Sequence, residues 1–305
     1  MQPVLNVEDV GRVEEALTEA GVSISELMRR AGAAVAHEAL HMKEIHDVAI
    51  LTGLGNNGGD GWVAAEELMK QGLHVTVVSP VEIAAIHSDL ARVVAKGAHK
   101  AGVGVMVAPP RDQLEALFMS ADVVIDAMLG TGFHGAVRAP FDIWINTLNS
   151  SGVQVISVDV PSGLSAQTGL ASGPFVIADV TVTMLVLKPG LLSDSGRDAC
   201  GSIVVAPLAE QTARLVREAD PVAWRPDLSD YAEVVVSSSV AVDKFSRGSV
   251  LVVGGSTRFP GAPIMAARAA ARAGAGYVTL AVPAPIAGIC QAHMTEIPVV
   301  ALPAD

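Results

Sequence analysis

Residues 48–61 read VAILTGLGNNGGDG, and this stretch decides the fold that the sequence predicts. Its first four residues are an apolar run typical of a strand buried on both faces of a parallel sheet. The glycines that follow allow a tight turn, and the helical spacing of apolar residues over 60–70 predicts a helix next. A strand, a glycine-rich turn and a helix in this order form the repeating unit of α/β folds.

Short apolar runs of the same kind recur along the chain, and most of them end in a glycine or a proline. They predict buried strands at 48–51, 75–78, 103–107, 123–129, 153–160, 180–187 and 203–205. Helical spacing is found over 8–41, 60–70, 87–96, 111–119 and 140–149. The alternation predicts a doubly wound, Rossmann-like three-layer sandwich around a mostly parallel sheet.

The composition narrows the class of protein further. With 305 residues, of which 50% are hydrophobic and 17% charged, the chain can bury a sizeable core and is long enough for two domains. A net charge of -12 argues against duplex nucleic acid as a partner, since such proteins need a basic face. The acidic N-terminus lacks a signal-peptide pattern, and no apolar run reaches membrane-spanning length. We therefore expect a cytoplasmic protein without a membrane partner.

Three loops follow predicted strands and carry the chemistry. The first, residues 53–61, is rich in glycine, and its backbone N–H groups could hold an anion at the helix start. Asn56 and Asn57 add side-chain amides there, and Asp60 is a candidate helix cap or ribose partner. A tight strand–helix connection would explain the glycines alone, but it would not explain the asparagine pair.

The second and third loops each lie beside an aspartate. Asp126 stands inside the apolar run 123–129, where a carboxylate is costly to bury unless it is hydrogen-bonded, paired or bound to a cation. The loop after it contains His134, which we interpret as an exposed loop residue rather than a general base. Asp159 ends the run before Ser162, at the edge where open α/β sheets place their ligands. Together the three loops predict one binding crevice.

The sequence lacks the motifs of several common enzyme classes. The first two-thirds of the chain has no Walker lysine–serine pair, and Cys200 and Cys290 lie outside any zinc-like spacing. The first loop does not fit the Gly-x-Gly-x-x-Gly spacing cleanly, which disfavours an ordinary hydride-transfer dehydrogenase.

At these loops the sequence resembles the N-terminal domain of the bacterial bifunctional NAD(P)HX repair enzymes. The resemblance covers about residues 20–205 and rests on several motifs in the family's order. These are Leu27-Met28-x-Arg30-Ala31-Gly32, Gly55-Asn56-Asn57-Gly58-Gly59-Asp60-Gly61, Asp126-Ala127-x-Leu129-Gly130-Thr131-Gly132, Asp159-x-Pro161-Ser162-Gly163, Thr181-Val182-Thr183 and Lys188-Pro189-Gly190.

The resemblance implies an epimerase that interconverts the R and S forms of hydrated NADH and NADPH. It places Asp159 against the reactive part of the cofactor. Our hypothesis for the mechanism is that the carboxyl group of Asp159 protonates the departing hydroxyl and later activates water, with Lys188 either stabilising charge nearby or serving a structural role. The resemblance also implies a bound potassium ion held by Asn57, Asp126 and Ser162, and a homodimer. The residues implied to contact NADHX or NADPHX are Asn56, Asn57, Gly58, Gly59, Asp60, Gly130, Thr131, Gly132, Phe133, His134, Gly135, Ala136 and Asp159.

The composition and pattern of the sequence change after residue 208. We expect an epimerase domain at 1–208, a connector with one helix and one strand at 209–243, and a second α/β segment at 244–305. The second segment resembles the opening of a ribokinase-like NAD(P)HX dehydratase, through the motifs at 247–256, 259–263 and 273–276. It is shorter than a typical domain, and the family's later Gly-Thr-Gly-Asp motif is absent. We therefore expect no dehydratase activity from this chain alone.

Two other functions remain open at this point. The same domain resembles the dimerising part of an RNA-decay scaffold, which would make the chain a non-catalytic nucleotide- or RNA-binding module. The second segment would also permit a kinase-like ATP enzyme, although the motifs of its active site are missing. Both loop aspartates and the asparagine pair favour the enzyme acting on hydrated NAD(P)H.

Overall fold

The computed structural model describes residues 1–234 and 246–303. The chain divides into two compact units, Met1–Asp230 and Tyr231–Asp305, and the division falls inside the predicted connector. No helix in either described range is long and apolar enough to cross a bilayer.

The first unit alternates strands with helices. Its elements are β1 (Gln2–Val4), α1 (Val7–Glu19), α2 (Ile24–Leu40), β2 (Asp47–Thr52), α3 (Asn56–Lys70), β3 (His74–Ser79), α4 (Asp89–Ala101), β4 (Gly104–Val107), α5 (Arg111–Ser120), β5 (Val123–Ala127), α6 (Phe141–Ser151), β6 (Gln154–Val158), β7 (Val180–Met184), α7 (Asp194–Cys200), β8 (Ser202–Ala206), α8 (Thr212–Glu218) and β9 (Ala223–Arg225). A further helix, α9 (Leu228–Val234), runs across the division between the units.

Seven of these strands form one parallel sheet with the order β4-β3-β2-β5-β6-β7-β8. Helices α2, α3 and α4 cover one face, where Val35, Trp62 and Ala95 join a buried cluster with the strands. Helices α5 and α6 cover the other face through Phe118 and Trp144. The doubly wound, three-layer prediction is therefore confirmed. The strand order reverses between β2 and β5, which is where such sheets open a crevice.

Several element boundaries differ from those predicted, and two of the differences bear on the site. The helix predicted from residue 60 begins at Asn56, with Gly55 as its N-cap, so Asp60 lies one turn inside the helix and does not cap it. The strand predicted over 123–129 ends at Ala127, because the chain turns there towards the cleft. The segment 8–41 forms two helices, and the second is capped by Ser23, whose Oγ accepts from the Glu26 N–H.

The segment after the sheet contains more regular structure than the predicted single helix and strand. It holds α8, β9 and α9, while its residues 235–243 lie outside the described ranges. Strand β9 pairs antiparallel with β1, so the start of the chain is tied to residues 223–225. Helix α1 packs in the same region, with Val10, Val13 and Leu17 buried against Leu185 and Val216.

The second unit contains β10 (Ser249–Val253), α10 (Gly261–Arg272), β11 (Tyr277–Pro283), α11 (Ala284–His293) and β12 (Val299–Leu302). Its three strands form a parallel sheet in the order β10-β11-β12. The core lies between this sheet and the two helices, and includes Leu280, Val282, Ile264 and Cys290. The predicted strand, glycine turn, helix and strand are present, and a further helix and strand follow them.

Candidate active site

A cleft of about 680 Å³ lies at the carboxyl ends of β2, β5 and β6, at the reversal of strand order. This volume falls in the usual range for small-molecule sites. The loops after the three strands and helix α1 form its walls. The lining residues are Glu14, Leu54, Gly55, Asn56, Asn57, Asp60, Met128, Leu129, Gly130, Thr131, Gly132, Phe133, His134, Phe141, Asp159 and Met184.

The first turn of α3 is held against its neighbours by glycines. A Cβ at Gly61 would lie 2.6 Å from the Ala127 Cβ, and one at Gly59 would lie 2.5 Å from the Met28 Cε. These glycines, together with the buried Gly58, therefore face the protein interior rather than the cleft. The larger residues of the turn, Asn56, Asn57 and Asp60, line the cleft instead. Since the first N–H groups of a helix have no intrahelical acceptor, this end of α3 also offers backbone donors.

Asp126 lies beneath the cleft and is completely buried. Its carboxylate accepts hydrogen bonds from Ser162 Oγ at 2.5 Å, Ser162 N at 2.8 Å, Ser157 Oγ at 2.9 Å and Met128 N at 3.2 Å. Burial raises the pKa of Asp126, and the hydrogen bonds from Ser162 oppose that rise. All four donors are neutral, so the hydrogen bonds stabilise the carboxylate without neutralising its charge.

Asp159 stands on the floor of the cleft, directly after β6. Its side chain is 10% exposed and pairs with Lys188, whose Nζ lies 2.5 Å from Asp159 Oδ1. Lys188 is fully buried, and its Nζ also donates to Thr183 Oγ1 at 2.8 Å and the Met184 carbonyl at 2.7 Å. Burial alone would raise the pKa of Asp159, but the ammonium beside it holds this pKa below its usual value. Asp159 is therefore a carboxylate at neutral pH.

The backbone of Asp159 is also unusual. Its φ is +66°, in the left-handed region that residues other than glycine rarely adopt. Such strained residues cluster at active sites and ligand-binding positions. The Thr131 N–H donates to Asp159 Oδ2 at 3.3 Å, so this carboxylate also anchors the loop after β5.

Two further carboxyl groups face Asp159 across the cleft. Burial, followed by the charges of Asp159 and Glu14, raises the pKa of Asp60 well above its usual value. Burial and the charge of Asp159 likewise raise the pKa of Glu14, although Lys188 opposes that rise. Glu14 keeps a large accessible surface, but α1 holds it at the rim of the cleft. The cleft is thus acidic, and the pKa values of its carboxyl groups are shifted in opposite directions.

The structure brings together most of the residues that the sequence singled out. Asn56, Asn57, Asp60 and Asp159 line one cleft together with residues 130–134, and His134 is exposed on that loop. Asp126 and Ser162 form the buried layer beneath it. Four predicted contact residues lie elsewhere, because two face the interior of the protein and two are exposed beyond the lining of the cleft: Gly58, Gly59, Gly135 and Ala136.

Sequence reasoning missed Glu14 and left the role of Lys188 undecided. Glu14 lies on an amphipathic helix with other acidic residues, so nothing in the sequence distinguishes it from a solvated position. Lys188 follows the apolar segment 180–187, and a lysine there has to be paired if it is buried. A lysine beside an apolar segment thus indicated an ion-pair partner, but it did not identify that partner as Asp159, which lies 29 residues away.

Comparison with known proteins agrees with this geometry. Residues 24–190 match the family model described as YjeF-related protein N-terminus, and residues 250–305 match one described as NAD(P)H-hydrate dehydratase. The crystal structure of the yeast protein ynu0, YNL200c, is similar over 61% of this chain and 82% of its own, with a TM-score of 0.55 and 26% sequence identity.

The curated relatives are longer chains that align with most of this one. A relative from Hyperthermus butylicus, named bifunctional NAD(P)H-hydrate repair enzyme Nnr, is 40% identical over 92% of this chain and 50% of its own. One of the same name from Coxiella burnetii is 36% identical over 89% of this chain and 54% of its own. The chain thus spans about half the length of these relatives. Since the first family model covers more than half of the 305 residues, this chain belongs to the family with a YjeF-related protein N-terminus.

Proposed function

We propose that the first unit interconverts the R and S epimers of NADHX and NADPHX. The observation that carries this proposal is the ionised Asp159, held by buried Lys188 on the floor of a cleft at the reversal of strand order. The names of the relatives, which are NAD(P)H-hydrate repair enzymes, supply the substrate class. Residues 130–134 and the first turn of α3 would hold the nucleotide through backbone N–H groups.

The chemistry at C6 of the hydrated ring requires the C–O bond to break and re-form on the other face. A protonated carboxyl group in the cleft donates its proton to the hydroxyl, and the C–O bond breaks with its electron pair on oxygen so that water leaves. The lone pair of the ring nitrogen forms a C=N bond, and the ring becomes cationic. The carboxylates of Asp159 and Glu14 would stabilise that charge, since fixed negative groups in a confined cleft act strongly on a developing cation. Asp159 can then take the proton of the water that adds at C6.

Replacement of Asp159 tests this proposal. Asp159→Asn keeps the shape of the side chain and removes its charge, and we expect kcat to fall by about 10²-fold or more. The assay supplies pure (R)-NADPHX in potassium buffer and follows the S epimer by chromatography against the uncatalysed rate. Asp112→Asn, the same change at an exposed position of α5, should leave the rate unchanged.

Two outcomes would count against the epimerase. No acceleration by the folded wild-type chain would contradict it and favour the nucleotide- or RNA-binding module. Near-normal turnover by Asp159→Asn would remove Asp159 from the mechanism. Because Asp159→Asn leaves Lys188 buried without a counter-charge, the Asp159→Asn/Lys188→Met double variant serves as a second test without an unpaired ammonium.

We also propose that Asn57, Asp126 and Ser162 hold a potassium ion. Two observations support the fit. The Asn57 Nδ2 is buried and has no hydrogen-bond partner among the described residues, and a half-turn of the amide would place an oxygen there instead. Asp126 is buried with neutral donors alone, so its charge is left for a cation to balance. Amide, carboxylate and hydroxyl oxygens are the donors that replace the hydration shell of potassium. The bound ion would supply a fixed positive charge beneath the cleft.

Thermal unfolding without substrate tests the ion. An ion that binds only the folded protein raises the melting temperature as its concentration rises. We expect a higher melting temperature in potassium chloride than in sodium chloride of equal ionic strength, and we expect Asn57→Ala to remove that difference. Asp112→Asn should keep it. Equal melting temperatures of the wild type in the two salts would contradict the proposal.

Other attributes of the protein are proposals at the same level. We propose a homodimer, a cytoplasmic location, and no nucleic-acid partner. We also propose that residues 244–305, which form three strands and two helices in their described part, provide no dehydratase activity by themselves. Size-exclusion chromatography tests the homodimer. An ATP- or ADP-dependent dehydration assay on the same preparation tests the lack of dehydratase activity.

A further inference from the structure

We propose that Asp60 is the proton donor to the departing C6 hydroxyl. This inference rests on the proposed epimerase function and adds a second catalytic residue to it. Asp159, already ionised by its pairing with Lys188, would act on the incoming water instead. The two carboxyl groups would thereby divide the acid and base roles of a single site.

The position of Asp60 is fixed by close packing on both sides of the first turn of α3. A Cβ at Gly61 would stand 2.6 Å from the Ala127 Cβ, and one at Gly59 would have to displace the end of the Met28 side chain. The backbone carbonyl of Asp60 lies only 2.6 Å from where a Cβ of Gly32 would stand, so α2 also approaches it closely. A side chain that projects from so constrained a turn into the cleft meets the requirement that a general acid be held in place.

The surroundings separate the two aspartates chemically. Asp60 has no ion pair among the described residues, and burial together with the charges of Asp159 and Glu14 holds its pKa well above the usual value. Asp159 has its pKa held low by Lys188. Two carboxyl groups whose pKa values are driven apart in one site are a common arrangement for an acid and a base. The titratable groups that face Asp60 in the cleft are Glu14, Asp159 and His134, with Lys188 behind Asp159. Glu15 and Glu19 of α1 line an adjoining cavity with Asp60.

The proton count closes over the two half-reactions. Asp60 transfers its proton to the C6 hydroxyl, the C–O bond breaks with its electron pair on oxygen, and water leaves the cationic ring. A water molecule then adds to the opposite face of C6, and its proton passes to the Asp159 carboxylate. Exchange with solvent returns a proton to Asp60 and removes one from Asp159. The reverse epimerisation uses the same two groups with their roles exchanged.

The pH dependence of epimerisation tests the inference. Wild type, Asp60→Asn, Asp60→Glu and the control Asp112→Asn are assayed with (R)-NADPHX from about pH 5 to about pH 10, with the uncatalysed rate subtracted. We expect the wild-type rate to fall at high pH along an alkaline limb set by Asp60, and to stay level at the acid end of the range because Lys188 holds the pKa of Asp159 below its usual value. Asp60→Asn should lower kcat about 10²- to 10⁴-fold with little change in KM, and its residual activity should lose the alkaline limb.

The outcomes separate this inference from the proposed function. If wild type is active and Asp159→Asn is not, but Asp60→Asn keeps kcat within about threefold and keeps the alkaline limb, the function stands and the inference fails. An inactive wild type overturns both. If Asp60→Asn does not fold, a wild-type profile without an alkaline limb overturns the inference alone. Asp60→Glu should recover part of the rate together with the alkaline limb. If residue 60 acted only through its size and shape, asparagine would suffice and glutamate would not restore the limb.

Discussion

Lys188 and Asp159 form an ion pair that folding removes almost completely from water. Taking two charges into the interior is costly, and the pair repays that cost only when its geometry and remaining hydrogen bonds are good. Here all three protons of the ammonium have acceptors: a carboxylate, a hydroxyl and a carbonyl. The pair is therefore well satisfied, and losing one member is worse than losing both.

Lys188→Met should reduce the free energy of unfolding by about 3–5 kcal/mol, because it leaves the Asp159 charge buried and unpaired. In the wild type the lowered pKa makes Asp159 contribute stability above its unfolded value, and that stability is lost as pH falls through the folded pKa. In Lys188→Met burial should raise this pKa instead, so stability should fall as pH rises. Urea unfolding at several pH values measures both effects, and the Asp159→Asn/Lys188→Met double variant should lose less than the single one.

The importance of the two loop aspartates, Asp126 and Asp159, could be predicted from the sequence. The assignment of acid and base roles within the cleft could not. A carboxylate inside an apolar strand, such as Asp126, stands out because its burial is costly. The acid role that we propose for Asp60 depends on Glu14 and Asp159, which lie 46 and 99 residues away and approach it only in the folded chain. Sequence spacing contains no such information.

Helix α3 joins the sheet to the cleft, and its glycines set the distance between them. The sequence predicts a loop over residues 53–61, whereas residues from 56 onward form the start of the helix, where glycines pack against α2 and β5. Strand positions could be read from the sequence because buried parallel strands are continuous apolar runs. The start of α3 could not, since glycine and asparagine are poor helix formers and tertiary packing overrides that preference.

Gly61→Ala and Gly97→Ala make the same chemical change on two helices and should have opposite effects. At Gly61 the new methyl would collide with Ala127, which we expect to cost about 1–3 kcal/mol of the free energy of unfolding and to displace the cleft end of α3. At Gly97 in α4 nothing lies within 4 Å, so alanine should stabilise by about 0.5–1 kcal/mol. Chemical denaturation compares the two variants. A stabilised Gly61→Ala would show that residue 61 does not pack tightly against Ala127.

The pattern of strands and helices in the sequence predicted the α/β architecture, whereas it did not predict the pairing of strands that lie far apart in the chain. Alternating strands and helices predicted the doubly wound sheet. A strand, a glycine turn, a helix and a strand predicted the restart of an α/β pattern from residue 244, and β10 begins at Ser249. The antiparallel pairing of β1 with β9 joins residues more than 200 positions apart. Three-residue strands carry too short a pattern to be recognised, and no local signal connects them.

That pairing has a consequence for the order in which the protein can be completed. Contacts between distant residues can form only after the intervening chain exists. During synthesis β1 cannot pair until residues 223–225 exist, and α1 cannot bury its apolar stripe until Leu185 and Val216 exist. The sheet and its loops can assemble earlier, so Glu14 takes its place at the cleft only near the end of synthesis of the unit. Of the three acidic residues in the cleft, Glu14 therefore reaches its position last in the nascent chain.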